Sequence, residues 1–378
     1  MIRPLLEHPI EQKARSEIPA LTQLAVRGLV TMFDRARNLF WDRVVRTERG
    51  VVPVGFSVRY TLISILGLHR AQEFADGRGI DIQGVLAGLL RDTRWVDSLG
   101  DLGLLLWACA EAAPELCREI GSRFDLARVL SRFHDARQGR TVEIAWFLSG
   151  LSQLHFVDAD PTRLRDVAME TYAILKQNQD DSGLFSHVAE RKSVAGLLRG
   201  RVGTFADQVY PIHALAKFSQ SFGVPKAAER ALDCALTLCE LQGPFGQWWW
   251  HYDSATGKVL GRYPVYSVHQ DGMAPLALFA IGDAVQSDFR PWISKGLRWI
   301  FGDNELEEDL RDDSSHMIWG GVRRSDSFRP VDSILELLSL REDNRRHKEF
   351  ALMSECSPYH LGWLLYAWMN QGGHPCSS

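Results

Sequence analysis

Two kinds of helical segment alternate along the chain. Stretches near 81–91, 122–134, 163–178, 225–241 and 288–302 carry charge on one face, as Ala228-Glu229-Arg230 followed by Leu232 and Ala235 illustrates. Stretches near 56–73, 100–112, 142–155, 206–222, 271–285 and 359–370 are apolar almost all round, Leu102-Gly103-Leu104-Leu105-Leu106-Trp107-Ala108-Cys109 among them. A helix with no charged face is packed on every side, so the first set predicts outer helices and the second an inner ring. Before them, Leu24, Leu29, Met32, Phe33, Leu39 and Phe40 keep helical spacing and predict a helix from about 21 to 46, broken by Gly50 and Pro53.

Six outer–inner pairs predict an all-α fold, an (α/α)6 toroid of six helical hairpins in which no single hairpin buries its own apolar face. An open solenoid and a ring of five or seven pairs are the alternatives. The toroid consumes residues 1–378 as one domain, with the ring over about 21–372. Three connections are long: about 180–204, 243–268 and 303–356. The middle one places β-prone runs on either side of Ser254-Ala255-Thr256-Gly257 and predicts a small hairpin near 246–262. The third carries Ser314-Ser315-His316-Met317-Ile318-Trp319 and then an apolar helix-like run near 331–341. Connections this long are functional or disordered, and their aromatic content argues for function.

Composition narrows the classes. Of 378 residues 46% are hydrophobic and 24% charged, ordinary for a globular protein, and the net charge of −4 with scattered basic residues excludes a nucleic-acid surface. No apolar run is long enough to span a membrane, and Met1 to Pro9 does not read as a secretion signal, so a cytoplasmic setting is expected. The six cysteines (Cys109, Cys117, Cys234, Cys239, Cys356 and Cys376) show no paired metal spacing and read as free thiols. Cys356 and His360 stand four apart, half a zinc site at most, and neither metal nor cofactor is expected.

In a ring of helix pairs the inner helices start at one end, so the polar residues that open them line a funnel there. Arg59 with Tyr60, Asp101, Glu143, Asp207 with Gln208, His269 with Gln270 and Asp271, and Tyr359 with His360 are those openings. Each carboxylate also suits a helix N-terminus for purely structural reasons, through unpaired N–H groups and the dipole. The densest segment is Tyr263-Pro264-Val265-Tyr266-Ser267-Val268-His269-Gln270-Asp271, expected to line the site. Next comes Trp248-Trp249-Trp250-His251-Tyr252-Asp253. Strand alternation there would put Trp248, Trp250 and Tyr252 on one face and Trp249, His251 and Asp253 on the other, paving a cleft on which sugar rings stack.

A turn plan occurs twice: Gln179, Gly183 and Phe185 match Gln242, Gly246 and Trp248 in spacing. These turns resemble the Gln-to-Trp repeats of terpene cyclases and prenyltransferase-type α/α barrels. They also resemble the Asp-x-x-Gly-Leu-aromatic turns of six-hairpin glycosidases, unsaturated glucuronyl hydrolases among them. The Asp-rich motifs of cyclases are missing: Asp158-Ala159-Asp160 follows an inner helix, and Asp309-Leu310-Arg311-Asp312-Asp313 has the wrong spacing. The resemblance to cyclases is therefore one of scaffold. The resemblance to six-hairpin carbohydrate-active enzymes spans about 55–372 and implies an oligosaccharide or uronate-containing substrate and two carboxyl groups across a cleft.

On these residues the chain reads as a glycoside hydrolase. Asp271 is the leading carboxylate, Asp207 or Glu143 its partner, His269 and Tyr266 polarise the substrate, and Trp249 or Trp250 is a stacking platform. Arg59, Tyr60, Asp101, Tyr210, Gln270, Tyr359 and His360 complete the binding surface. Lyase or epimerase chemistry would draw instead on Arg59, Tyr210, Tyr266, His269, Tyr359 and His360. An isoprenoid cyclase would need a closed apolar chamber, and a non-enzymatic binding module would leave the six openings unconverged.

Overall fold

The computed structural model describes residues 16–71, 79–135, 140–157, 161–188, 201–325 and 350–369. The inner helices are α2 (Val58–Arg70), α4 (Leu99–Ala112), α7 (Thr141–Leu154), α9 (Ala206–Phe222), α11 (Ala274–Val285) and α13 (Pro358–Trp368). Around them lie α1 (Ile18–Thr31), α3 (Ile82–Arg91), α5 (Cys117–Arg123), α6 (Leu126–Asp135), α8 (Pro161–Leu175), α10 (Pro225–Glu240) and α12 (Arg290–Ile300). Each inner helix packs on the next, and α13 closes the circle against α2, so the six form a ring rather than an open solenoid. A π-helical turn, His269–Met273, precedes α11 and widens the start of the fifth inner helix.

The inner helices come unusually close because glycines face backbone. A Cβ on Gly103 of α4 would stand 2.5 Å from both Phe147 Cα and Trp146 C of α7. Gly103→Ala is therefore expected to destabilise the fold by about 1–3 kcal/mol, the usual cost of overpacking, as read from chemical denaturation. An unchanged midpoint would show that α4 and α7 separate freely.

Strands replace part of the first predicted helix. Leu39–Thr47 and Gly50–Phe56 form an antiparallel hairpin, and Leu39–Thr47 also pairs with Phe33–Asp34 and Glu355–Cys356. Helical spacing at Leu39 and Phe40 was outweighed there by β-branched Val44, Val45, Val51, Val52 and Val54 and by a distant strand partner. The hairpin expected near 246–262 is present as His251–Asp253 and Lys258–Gly261, joined on its other side by Val202–Thr204. The third connection contributes short strands at Arg311–Asp312, Met317–Ile318, Gly321–Arg324 and Phe350–Met353. The run near 331–341, Cys376 and the Asp158–Asp160 string lie outside the described residues. Among the described residues no helix is long and apolar enough to cross a membrane, and no group of three His, Cys, Asp or Glu could hold a metal ion.

Candidate active site

The six openings meet at one end of the ring in a closed circuit of contacts. Tyr359, opening α13, lies against Tyr60 of α2 with ring centroids 4.5 Å apart. Arg59 of α2 donates from Nε to Asp101 Oδ1 of α4 at 2.9 Å, and its guanidinium sits 5.4 Å from the Trp146 ring centroid of α7. His187 hydrogen-bonds Asp207 of α9 through Nδ1 at 3.1 Å. Phe205, just before α9, lies 4.5 Å from the His269 ring, and His360 of α13 bonds Asp271. Across the ring, Trp363 Nε1 donates to Tyr210 OH at 2.8 Å.

Local sequence explains the two carboxyls on the α4–α7 side. Ser98 caps α4, its Oγ accepting the Asp101 N–H at 3.0 Å, so Asp101 holds the third position of the first turn, where the helix dipole favours an acid. Glu143 occupies the same position in α7. The Gly100 backbone lies so near that a Cβ there would be 3.0 Å from Glu143 Cγ, which sets the two helix starts side by side. Burial pushes the Asp101 carboxyl above its ordinary value, helped by a hydrogen bond with Asp97 and opposed by Arg59. Glu143 is also pushed up, first by burial and then by the charges of Asp101 and Asp97, against Arg140 and Arg59. Among the described residues Glu143 has no hydrogen-bond or ion-pair partner, and it is only half-buried.

Next to this pair, His187 exposes 43% of its side chain while Asp207 beneath it exposes none. Thr204 donates to Asp207 Oδ2 from both its backbone N–H and its Oγ1, each at 2.8 Å, so the carboxylate is fixed and keeps one edge for the imidazole. The hydrogen bond to Asp207 raises the His187 pKa, more than burial lowers it.

The residues of the densest predicted segment mostly face inward. Asp271, the expected leading carboxylate, is fully buried and accepts from His360 Nε2 at 2.8 and 3.0 Å through its two oxygens. The half zinc site of Cys356 and His360 thus has its imidazole committed to Asp271. His269 is buried between Trp250, stacked at 5.5 Å and 7°, and Phe205, and burial lowers its pKa to about 3. Gln270 accepts the Trp248 N–H and donates to the Tyr266 carbonyl, a clasp on the preceding turn. Gln208 clasps Phe185 likewise, accepting from its N–H at 2.7 Å and donating to its carbonyl at 2.8 Å. Tyr210 is buried.

The strand begins only at His251, so the expected alternation does not reach the tryptophans. Trp248 and Trp249 are both buried, and Trp249 Nε1 donates to the Leu241 carbonyl. Trp250 alone of the three is partly open, beside Tyr266 at 4.8 Å. The open surface of the mouth is thus Arg59, Glu143 and His187 on one side and Tyr60, Trp250, Tyr266 and Tyr359 on the other, with Asp101 at its edge. Sequence reasoning gave no role to His187, the last residue of the candidate segment 177–187, nor to Asp97 or Arg140. His187 follows the first Gln-to-aromatic turn and Asp97 directly precedes the cap residue Ser98, positions that could have marked both.

The ring fold has solved counterparts. An unsaturated glucuronyl hydrolase mutant from Streptococcus agalactiae, complexed with dGlcA-GalNAc6S, superposes with a TM-score of 0.61 at 11% identity, covering 93% of this chain and 90% of that one. The unsaturated glucuronyl hydrolase from Bacillus sp. GL1, responsible for glycosaminoglycan degradation, gives 0.59 at 15% identity over 96% and 97%. An unsaturated glucuronyl hydrolase specific for heparin gives 0.54 at 13% over 92% and 96%. The chain has the unsaturated glucuronyl hydrolase fold. At these identities the likeness is one of architecture, and it agrees with the closed ring of six hairpins. No protein-family model and no curated protein matches the chain.

Proposed function

We propose that the chain is a glycoside hydrolase acting on a uronate-containing oligosaccharide, with Glu143 and Asp101 as its acid–base pair. The observation that carries this reading is Glu143: a half-open carboxyl at the ring mouth, held toward its protonated form and unpartnered, beside an Asp101 anchored by Arg59. Two carboxyls whose surroundings differ in this way divide acid and base roles. Glu143 gives its proton to the glycosidic oxygen, and Asp101 takes one from the attacking water. The opposite wall of Trp250, Tyr266, Tyr60 and Tyr359 offers apolar faces to the sugar ring. A mouth rimmed by carboxyls, guanidinium and imidazole speaks against the sealed apolar chamber of an isoprenoid cyclase.

The solved counterparts act on unsaturated glucuronyl groups, and one holds an acidic disaccharide. Arg59, Arg140 and His187 supply cations suited to a substrate carboxylate here. Five free, buried thiols among the described residues support a reducing, cytoplasmic setting. The experiment is turnover of acidic oligosaccharides with saturated and unsaturated non-reducing ends. Release of a sugar acid supports the reading, and cleavage of neutral glycosides alone overturns it.

His187 makes the reading pH-dependent. Its folded pKa lies above the ordinary imidazole value, so it is charged below that raised value and neutral above it. KM for an acidic substrate is expected to rise by about tenfold through that titration, comparable to losing one charge-assisted hydrogen bond. Asp207→Asn should move the transition to lower pH. A KM profile that ignores Asp207→Asn would remove His187 from substrate binding.

A further inference from the structure

On the mouth face but outside the ring lies a cavity of about 630 Å³, large enough for a disaccharide. Outer helices run opposite to inner ones, so α12 ends where the inner helices begin, and the turn Gly302–Glu307 that follows it forms one wall. Phe245, Tyr263 and Phe350 supply the apolar faces, with Tyr263 and Phe350 4.9 Å apart. Tyr263 also meets Trp249 edge-on, while the adjacent Trp250 belongs to the mouth, so the cavity and the mouth share one aromatic seam.

The cavity carries both donors and acceptors. Glu305 is fixed by three hydrogen bonds at 2.8 Å, from Gln247 Nε2, Tyr263 OH and Trp299 Nε1. Asp303, Glu307 and Arg298 complete the polar lining, Arg298 lying 3.4 Å from Asp303. Arg324 stands over the Tyr263 ring at 5.1 Å. Sugar hydroxyls donate and accept at once, so neighbouring carboxylates and guanidinium suit them, and the C–H faces of a pyranose suit the aromatics. An acidic sugar would meet three carboxylates, Asp303, Glu305 and Glu307, at close range.

Phe245 makes the strongest case, because the fold does not require it. Its turn and the turn at 179–185 are built alike. Gln242 Nε2 donates to the carbonyls of Gly246 and Trp292, as Gln179 Nε2 donates to those of Gly183 and Arg230, and Gly183 and Gly246 are both left-handed. The residue before the glycine is Ser182 in one turn, bonded inward to the Ser254 carbonyl, and Phe245 in the other, half-exposed at 50%. Phe245 thus presents an open aromatic face on a clasped turn at the lip of the cavity, beside Tyr263 and Phe350.

We propose that this cavity is a second saccharide site, taking a neutral pyranose unit while the mouth takes the acidic one. The choice of ligand class rests on the saccharide reading of the mouth, and the pair would select chains that combine acidic and neutral sugars. The test is calorimetric titration of the full chain with cellobiose, lactose and N,N′-diacetylchitobiose. At least one should bind the unmodified protein, Phe245→Ala and Glu307→Gln should each weaken it by about tenfold, and Glu143→Gln should leave it unchanged. Phe245 and Glu307 are exposed, so both variants keep the fold. No binding by any of the three, equal affinity in Phe245→Ala and Glu307→Gln, or equal loss in Glu143→Gln would each overturn the proposal. Binding here together with no turnover of acidic oligosaccharides by the unmodified protein would instead count against the mouth reading alone.

Discussion

Glu143→Gln is expected to lower kcat on an acidic oligosaccharide by about 10²–10⁴-fold, the usual worth of a positioned general acid, with KM and thermal midpoint near those of the unmodified protein. The split follows from the surroundings of the residue. Glu143 is half-open and has no partner among the described residues, so the isosteric amide breaks no packing and strands no buried charge. What it removes is a proton that burial and the charges of Asp101 and Asp97 keep on the carboxyl above the ordinary pH range of a glutamate. The activity of the unmodified enzyme should therefore fall as pH rises through that raised value, and the same limb should be absent from the residual activity of the variant. Asp101→Asn tests the other half. It too should lower kcat, but because Arg59 bonds Asp101 from a partly open position, it should also disturb substrate binding and raise KM. Glu143→Gln with undiminished kcat would remove the pair from the chemistry and leave the ring mouth as a binding surface.

The ring was legible because its cause is local. A segment apolar on all sides has only one kind of place to go, and six such segments, each opened by a polar cluster, already imply a common end. Which opening does the work was not legible, because that depends on burial, and burial is set by partners far away in the chain. Asp271 and Glu143 look alike in sequence, each an acid in the first turn of an inner helix. His360, 89 residues further on, closes over Asp271, and no described residue bonds Glu143. Trp249 and Trp250 differ for a similar reason: the Leu241 carbonyl captures one indole, and the π-helical turn offers His269 to the other. His187 was left without a role because its meaning lies in Asp207, a buried acid that on its own reads as a helix-start residue.

Asp271 and His360 then carry the largest expected effect on stability. Breaking a buried ion pair from one side leaves the other charge in a low-dielectric interior, so Asp271→Leu or His360→Leu is each expected to destabilise the chain by about 3–5 kcal/mol, while the double replacement should recover much of that loss. Burial alone would depress His360, but the charge and hydrogen bonds of Asp271 hold it up at about 10. A group whose folded pKa is raised stabilises below its unfolded value and loses that contribution as pH rises toward the folded one. The raised His360 value therefore sets the window. Denaturant midpoints should hold steady from mildly acidic pH to about 6.5, the unfolded imidazole value, and fall as pH climbs toward about 10, a decline that the double variant should lack. The two roles open to Asp271 separate cleanly here. If it is the floor on which Tyr359 and the mouth rest, variants assayed below their lowered melting temperature retain most of their kcat. If they keep full stability and lose kcat instead, the proton chemistry belongs to Asp271, and Glu143 returns to being a helix-start residue.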